Sequence, residues 1–146
     1  MGGGKAKARF RRPRPFADDP NAAICVPIPP EMRARVSTSY PGGHAALGMT
    51  WGPILAELAP DRSSQVMERV RDFSQSRLAC GLHFPSDLEA GHMLGAGLVA
   101  RLHADPAFRA DMETARAEVA VARAASRAPP AACAAAQAGR GAQSAP

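Results

Sequence analysis

The sequence predicts an all-α protein. Four segments between positions 45 and 125 repeat their apolar residues at helical spacing, each behind a recognisable start signal, and no run alternates apolar and polar residues long enough for a strand. Of the 146 residues, 46% are hydrophobic and 21% charged, which suits one domain with a modest core, assigned to residues 1–125.

The first of these helices is expected over Ala45–Ala59, where Leu47, Trp51, Ile54, Leu55 and Leu58 recur at helical intervals and Pro53 introduces a bend. Tyr40-Pro41-Gly42-Gly43 precedes it, which sets His44 at a helix N-terminus. Asp61 is read as the N-cap of a second helix over Arg62–Ala79, with Val66, Val70, Phe73 and Leu78 on one stripe and Gly81 ending the run. Ser86-Asp87-Leu88-Glu89 fits a capping box and opens a third helix over Asp87–His103. Asp105 as cap and Pro106 at the first helical position open a fourth, running to Ala125. Pro20, Pro27, Pro29 and Pro30 keep the segment from Asp18 to Ser39 a loop. Residues 126–146 are almost wholly Ala, Pro, Gly, Gln and Ser, too poor in large apolar groups to offset the entropy of ordering, and read as a disordered tail. Trp51, Phe73, Met93 and Leu98 are assigned to the core, and His92 and His103 to structural roles.

Eighteen Lys and Arg against 13 Asp and Glu give a formal charge of +5, which favours anionic partners. Lys5, Lys7, Arg9, Arg11, Arg12 and Arg14 crowd together, while the rest of the chain mixes both signs. Alone, such a run reads as a flexible arm for nucleic acid; the motifs downstream redirect it to phosphate groups, and nucleic acid is not an expected partner. No stretch has the roughly 20 apolar residues of a membrane span, and the first residues lack the apolar core of a secretory signal. Cys25, Cys80 and Cys133 show no CxxC spacing, which argues against a zinc knuckle and leaves one disulfide open.

Three segments carry groups that phosphoryl chemistry uses. They are Lys7-x6-Arg14-Pro15, Pro41-Gly42-Gly43-His44 and Ser76-Arg77-x5-His83-x3-Asp87. A phosphoryl group in transfer spreads negative charge over three oxygens, so its site needs several fixed cations and N–H donors. Lys7, Arg14 and Arg77 supply cations, and Gly42 and Gly43 open a helix whose N–H groups suit an anion. Lys5-x6-Arg12-Pro13 satisfies the first spacing too; the flanks Ala6-Lys7 and Pro15-Phe16 favour Lys7 with Arg14.

This constellation resembles the type-2 phosphatidic acid phosphatase superfamily, which also holds the vanadium haloperoxidases, and is most similar to the class A bacterial non-specific acid phosphatases. The flanks Ser39-Tyr40-Pro41, Gln75-Ser76-Arg77, Cys80-Gly81-x-His83 and Asp105-Pro106-Ala107-Phe108 extend the resemblance over residues 6–120. It implies a helical bundle of that superfamily's kind, here lacking its N-terminal helices. It also implies that His83 is a nucleophile forming a phosphohistidine, that Asp87 holds its imidazole, and that His44 protonates the leaving alcohol. Lys7, Arg14, Gly42, Gly43, Ser76 and Arg77 would bind the phosphate. The chemistry implied is hydrolysis of phosphate monoesters, with no metal and no cofactor, in a periplasmic setting, although the chain shows no signal peptide. That setting and the positions of the cysteines beside the motifs suggest a Cys25–Cys80 disulfide.

Two departures bear on activity. The family's Pro-Ser-Gly-His is here Pro-Gly-Gly-His, so a serine at Gly42 is expected to restore a phosphate donor and raise turnover. The superfamily's front helices are expected to be absent, leaving apolar faces uncovered, with self-association and no stable membrane insertion. The alternative readings are a weakly active or inactive remnant that binds anions through its basic arm, and a vanadate-dependent haloperoxidase.

Overall fold

The computed structural model describes residues 3–125 apart from positions 18, 20, 23 and 29–37. The tail assigned to 126–146 lies outside the described residues. Among the described residues there are five α-helices and no strand: α1 (Gly3–Phe10), α2 (Gly43–Leu58), α3 (Ser63–Ala79), α4 (Pro85–His103) and α5 (Pro106–Ala124), with 3₁₀ turns at Pro15–Ala17 and Pro60–Arg62. The all-α expectation holds, and the four helices expected from periodicity begin and end within about two residues of their expected limits.

Helix α2 is the central element and packs most extensively on α4, then on α3. Small residues set these contacts. A Cβ at Gly95 of α4 would stand 2.6 Å from the Ala46 carbonyl oxygen of α2, and one at Gly91 would strike the Gly42 carbonyl and the Ala45 side chain. Any larger residue at either position would push α4 off α2. Gly52 of α2 receives Val70 of α3 in the same way, and Gly48 lies at ordinary contact distance from Val70 and Phe73. Ala45, Val70, Leu82, Leu88 and Met112 are buried within this arrangement, and Phe16 is buried in the turn that follows α1.

This mode of packing corrects the expected core. Trp51, Met93 and Leu98 are 60%, 76% and 45% exposed, because α2 and α4 meet through their glycine and alanine stripes and turn their large apolar residues outward. Phe73 is half-buried between His44 and Arg77. Leu47, Trp51, Leu94 and Leu98, together with Gly3 and Lys7 of α1, line an apolar groove of about 390 Å³. Among the described residues no helix is long and apolar enough to cross a membrane.

Three local expectations are also corrected. Helix α1 occupies most of the run read as a loose basic arm: Ala6, Lys7, Ala8 and Arg9 are good helix formers, and Arg11 ends the helix at φ 47° while its N–H bonds to the Lys7 carbonyl at 2.9 Å. Asp61 does not cap α3; its carboxylate pairs with Arg123 of α5, Oδ1 accepting from Nη1 at 2.7 Å. The N-cap of α4 is Phe84 with Pro85 at the first helical position, two residues ahead of the expected Ser86. The cap of α5 is as expected, Asp105 Oδ1 accepting the Ala107 N–H at 2.9 Å.

Candidate active site

The first two motifs meet where the chain leaves α1. Lys7 Nζ donates to the Thr38 carbonyl at 2.6 Å and to the Pro41 carbonyl at 2.7 Å, and the Ser39 N–H donates to the Arg12 carbonyl at 3.1 Å. Phe10 meets the Tyr40 ring edge-on at 4.8 Å, and the Tyr40–Pro41 peptide is cis. Residues 7–14 and 38–41 are thereby laced together ahead of α2. A disulfide joins Cys25 to Cys80, as expected, and ties the segment around Cys25 to the C-terminal end of α3.

The third motif meets them at the start of α4. Asp87, four residues after His83, is fully buried at the third position of the helix, where its Oδ2 accepts the Phe84 N–H at 2.9 Å and satisfies one of the free donors of the first turn. The same oxygen lies 3.3 Å from His83 Nδ1 and accepts from Ser39 Oγ at 2.5 Å. Arg12 Nη1 donates to the other oxygen, Oδ1, at 3.0 Å and to Ser86 Oγ at 2.7 Å, with its guanidinium over the Phe84 ring at 4.3 Å. Arg14 Nη1 donates to the Leu82 carbonyl at 2.9 Å and stands 3.3 Å from His83 Nε2. Two arginines separated only by Pro13 thus straddle the His83–Asp87 pair, one at each end.

These partners fix the imidazole's tautomer. Nε2 faces an arginine donor and must offer its lone pair, so the proton sits on Nδ1, directed at Asp87. Burial and the Arg14 charge, outweighing Asp87 and assisted by Lys7, push His83 down to about 4. Burial alone would raise Asp87, but hydrogen bonds from Ser39, Phe84 and His83 and the Arg12 charge hold it below the usual carboxylate range. Burial also lowers Lys7 and Arg14, with Asp87 opposing in both and the Arg14 charge adding to the effect on Lys7. Arg14 Nε is buried and has no hydrogen-bond partner among the described residues.

His44 is on the first turn of α2, exposed, its ring edge-on to Phe73 at 5.7 Å. Arg77 lies over the Phe73 ring at 5.4 Å. Burial, then the charges of Arg77, Arg14 and Lys7, lower His44, so all three expected phosphate cations act on this one group. Ser76 Oγ donates to the Phe73 carbonyl at 2.8 Å and accepts from Arg77 Nε and Nη2 at 3.1 and 3.0 Å, which braces the guanidinium against α3. Gly43 has open space at its Cβ position. Gly42 does not: its N–H donates to the Asp87 carbonyl at 2.7 Å, and a Cβ there would come within 2.9 Å of that oxygen. This contact engages the Gly42 N–H, and a Cβ at that position would require the start of α4 to shift.

Ser39 and Arg12 were not singled out from the sequence. Neither is a named position of the three motifs; the signals are that Arg12 satisfies the alternative spacing with Lys5 and that Ser39 begins the flank Ser39-Tyr40-Pro41. Among the described residues no three His, Cys, Asp or Glu side chains gather into a set that could hold a metal ion.

The model of the family described as "PAP2 superfamily" matches residues 1–110. An acid phosphatase of Zymomonas mobilis is 40% identical over 126 residues, 86% of this chain and 47% of that protein. Non-specific acid phosphatases of Providencia stuartii and Salmonella typhimurium are 34% and 39% identical over 115 and 114 residues, covering 79% and 78% of this chain and 46% and 45% of those proteins. The chain spans about half the length of the curated relatives it matches. With most of its length matched by the family model, the chain belongs to the PAP2 superfamily.

Proposed function

We propose that the protein is an acid phosphatase that hydrolyses phosphate monoesters through a phosphohistidine at His83. The observation that carries this reading is the position of Arg14, whose Nη1 stands 3.3 Å from His83 Nε2 while its buried Nε–H has no partner among the described residues. A buried donor left unpaired costs about 1–3 kcal/mol, and an oxygen of a phosphate beside Nε2 would relieve it. The names of the relatives agree with the reading.

The His83 Nε2 lone pair attacks phosphorus as the bond to the leaving oxygen breaks, and His44 gives that oxygen its proton. Water then attacks phosphorus, His44 takes the water's proton, the P–N bond breaks and phosphate departs. The Nδ1 proton stays on the imidazole, directed at Asp87, throughout. Arg14, Lys7 and Arg77, with Ser76 bracing Arg77 and the N-terminus of α2 at Gly43, hold the charge on the phosphoryl oxygens. His44 must be protonated for the first step, and burial and the neighbouring cations lower it, which favours acidic conditions; the negative charge of a bound phosphate ester offsets part of that lowering. A disulfide between Cys25 and Cys80 supports work in an oxidising compartment such as the periplasm.

The test is to mix the protein with an aryl phosphate labelled at phosphorus, quench within one turnover under mildly alkaline conditions, and map the label by mass spectrometry. Label on His83, absent in His83→Ala and competed by vanadate, is the expected result. Release of phosphate with no covalent label at any time point would overturn the covalent route.

A further inference from the structure

The three motifs account for the nucleophile and the phosphate cations, but not for why a fully buried carboxylate collects so many donors. Asp87 Oδ2 takes Ser39 Oγ–H at 2.5 Å, the Phe84 N–H at 2.9 Å and His83 Nδ1 at 3.3 Å, while Oδ1 takes Arg12 at 3.0 Å. Ser39 Oγ is also 3.4 Å from His83 Nδ1, so the hydroxyl gives its proton to Asp87 and offers a lone pair to the imidazole N–H. The Phe84 contact belongs to the cap of α4 and would exist without catalysis. The other two come from outside α4, from the loop before α2 and from the segment after α1, and each is itself fixed: the Ser39 N–H is held by the Arg12 carbonyl and Arg12 is stacked on Phe84.

We propose that Ser39 and Arg12 are positioning residues which act through Asp87 to orient the His83 imidazole and to set the low-pH limit of phosphoryl transfer. A carboxylate with one hydrogen-bonding partner can rotate or take up a proton; one held by donors on both oxygens does neither readily. With its charge shared among Ser39, Arg12 and the α4 cap, Asp87 stays ionised and attracts a second proton onto His83 less strongly. His83 Nε2 therefore keeps its lone pair into acidic solution. Removing Ser39 or Arg12 acts in one direction on the pair: either Asp87 binds a proton more readily or its fuller charge raises His83, and in both cases the pair loses its reactive state at higher pH.

The other charged groups around the pair are Arg14 and Lys7, which act on His83 from the segment that begins in α1. From α2 comes the Gly42 N–H, bonded to the Asp87 carbonyl, and His44, whose own titration governs the opposite limb of the rate profile. All of these remain in place in the variants that test the proposal.

Ser39→Ala and Arg12→Met are compared with the parent chain by steady-state hydrolysis of an aryl phosphate across pH and by ¹⁵N NMR of the His83 ring. In each variant kcat is expected to fall about tenfold with KM within about twofold, and the acid limb to move up by about one pH unit, in line with the loss of one charge-assisted hydrogen bond. Ser39→Thr and Arg12→Lys should recover most of both. In an Asp87→Asn background neither substitution should move the limb further, whereas a purely structural role would add to it. The positioning role presupposes the phosphoryl transfer proposed above, but the ring titration does not: parent protein with no turnover and no label refutes the phosphatase reading, and the His83 midpoint still tests Ser39 and Arg12. A His83 midpoint and Nδ1–H tautomer unchanged in folded Ser39→Ala and Arg12→Met would overturn the proposal, as would rate profiles superimposable on the parent's.

Discussion

Among the described residues there are two histidine–carboxylate pairs, and they behave in opposite ways. His83 lies 3.3 Å from Asp87 with both side chains buried; His103 lies 2.8 Å from Glu57 at the other end of the bundle with both about one-third exposed. Each carboxylate also meets an arginine, Arg12 in one case and Arg116 at 3.5 Å in the other. Yet His83 is lowered and His103 is raised. The first reason is burial, which lowers His83 and hardly touches His103; the second is what faces the other ring nitrogen. His103 Nδ1 meets the Val99 carbonyl at 2.9 Å, so both its nitrogens face acceptors and the ring is set up to hold two protons. His83 Nε2 meets a guanidinium, so one nitrogen must stay bare. A carboxylate beside a histidine does not decide its charge; the rest of the ring's surroundings do.

The largest expected effect separates the pairs by function. His83→Ala should lower turnover of an aryl phosphate by about a thousandfold or more, as loss of a covalent nucleophile does, while His103→Ala should stay within about twofold; initial rates at saturating substrate check both. Comparable losses in the two variants would erase the distinction.

Next comes acid stability. The unfolded chain protonates position 83 near pH 6.5, whereas the folded protein resists until about 4, so the unfolded state holds the extra proton between these values. Stability should therefore decline as pH falls from 6.5 to about 4, by about 3 kcal/mol, read by chemical denaturation at each pH and abolished in His83→Gln. His103 carries the opposite sign: its contribution is present below pH 6.5 and is lost as pH rises through its raised folded value. His103→Gln should flatten the neutral side of the curve and leave the acid slope intact.

A smaller effect sharpens the contrast in packing. Gly42→Ser should destabilise the fold by about 1–3 kcal/mol, because its Cβ would press on the Asp87 carbonyl at 2.9 Å, while Gly43→Ser, with open space at that position, should be near neutral. Thermal unfolding of the two variants decides this. The smallest effect belongs to the far end, where Asp61 and Arg123 form an exposed bidentate pair. Asp61→Asn should produce no resolvable shift in the midpoint, since solvent screens such pairs.

The helices from α2 to α5 were legible because their apolar spacing and most of their caps are local properties of the chain. Helix α1 was not, since a run of Lys and Arg reads the same whether it is solvated or laced by Lys7 to the Thr38 and Pro41 carbonyls, and those partners are more than 30 positions away. Trp51, Met93 and Leu98 mark apolar faces correctly, but periodicity does not say which face meets the neighbouring helix; here the glycines do. The closeness of His83 to Asp87 follows from a four-residue spacing across a turn and a helix start, whereas the approach of Arg14, from a separate motif, does not follow from any spacing within the third motif. Ser39 and Arg12 were not legible, because what makes them matter is a shared contact with one buried carboxylate, which no spacing within either segment encodes.

The Cys25–Cys80 bond has a topological consequence. It closes residues 25–80 into a covalent ring, with one arm entering at Cys25 and another leaving at Cys80. Lys7, Arg12 and Arg14 lie on the entering arm, Ser39, His44 and Arg77 inside the ring, and His83 and Asp87 on the leaving arm. The candidate site is assembled from all three parts at the junction. A single backbone cut anywhere inside the ring therefore leaves one covalent molecule in which every part of the site is still tethered to the others, and only reduction after the cut lets two fragments separate on a denaturing gel.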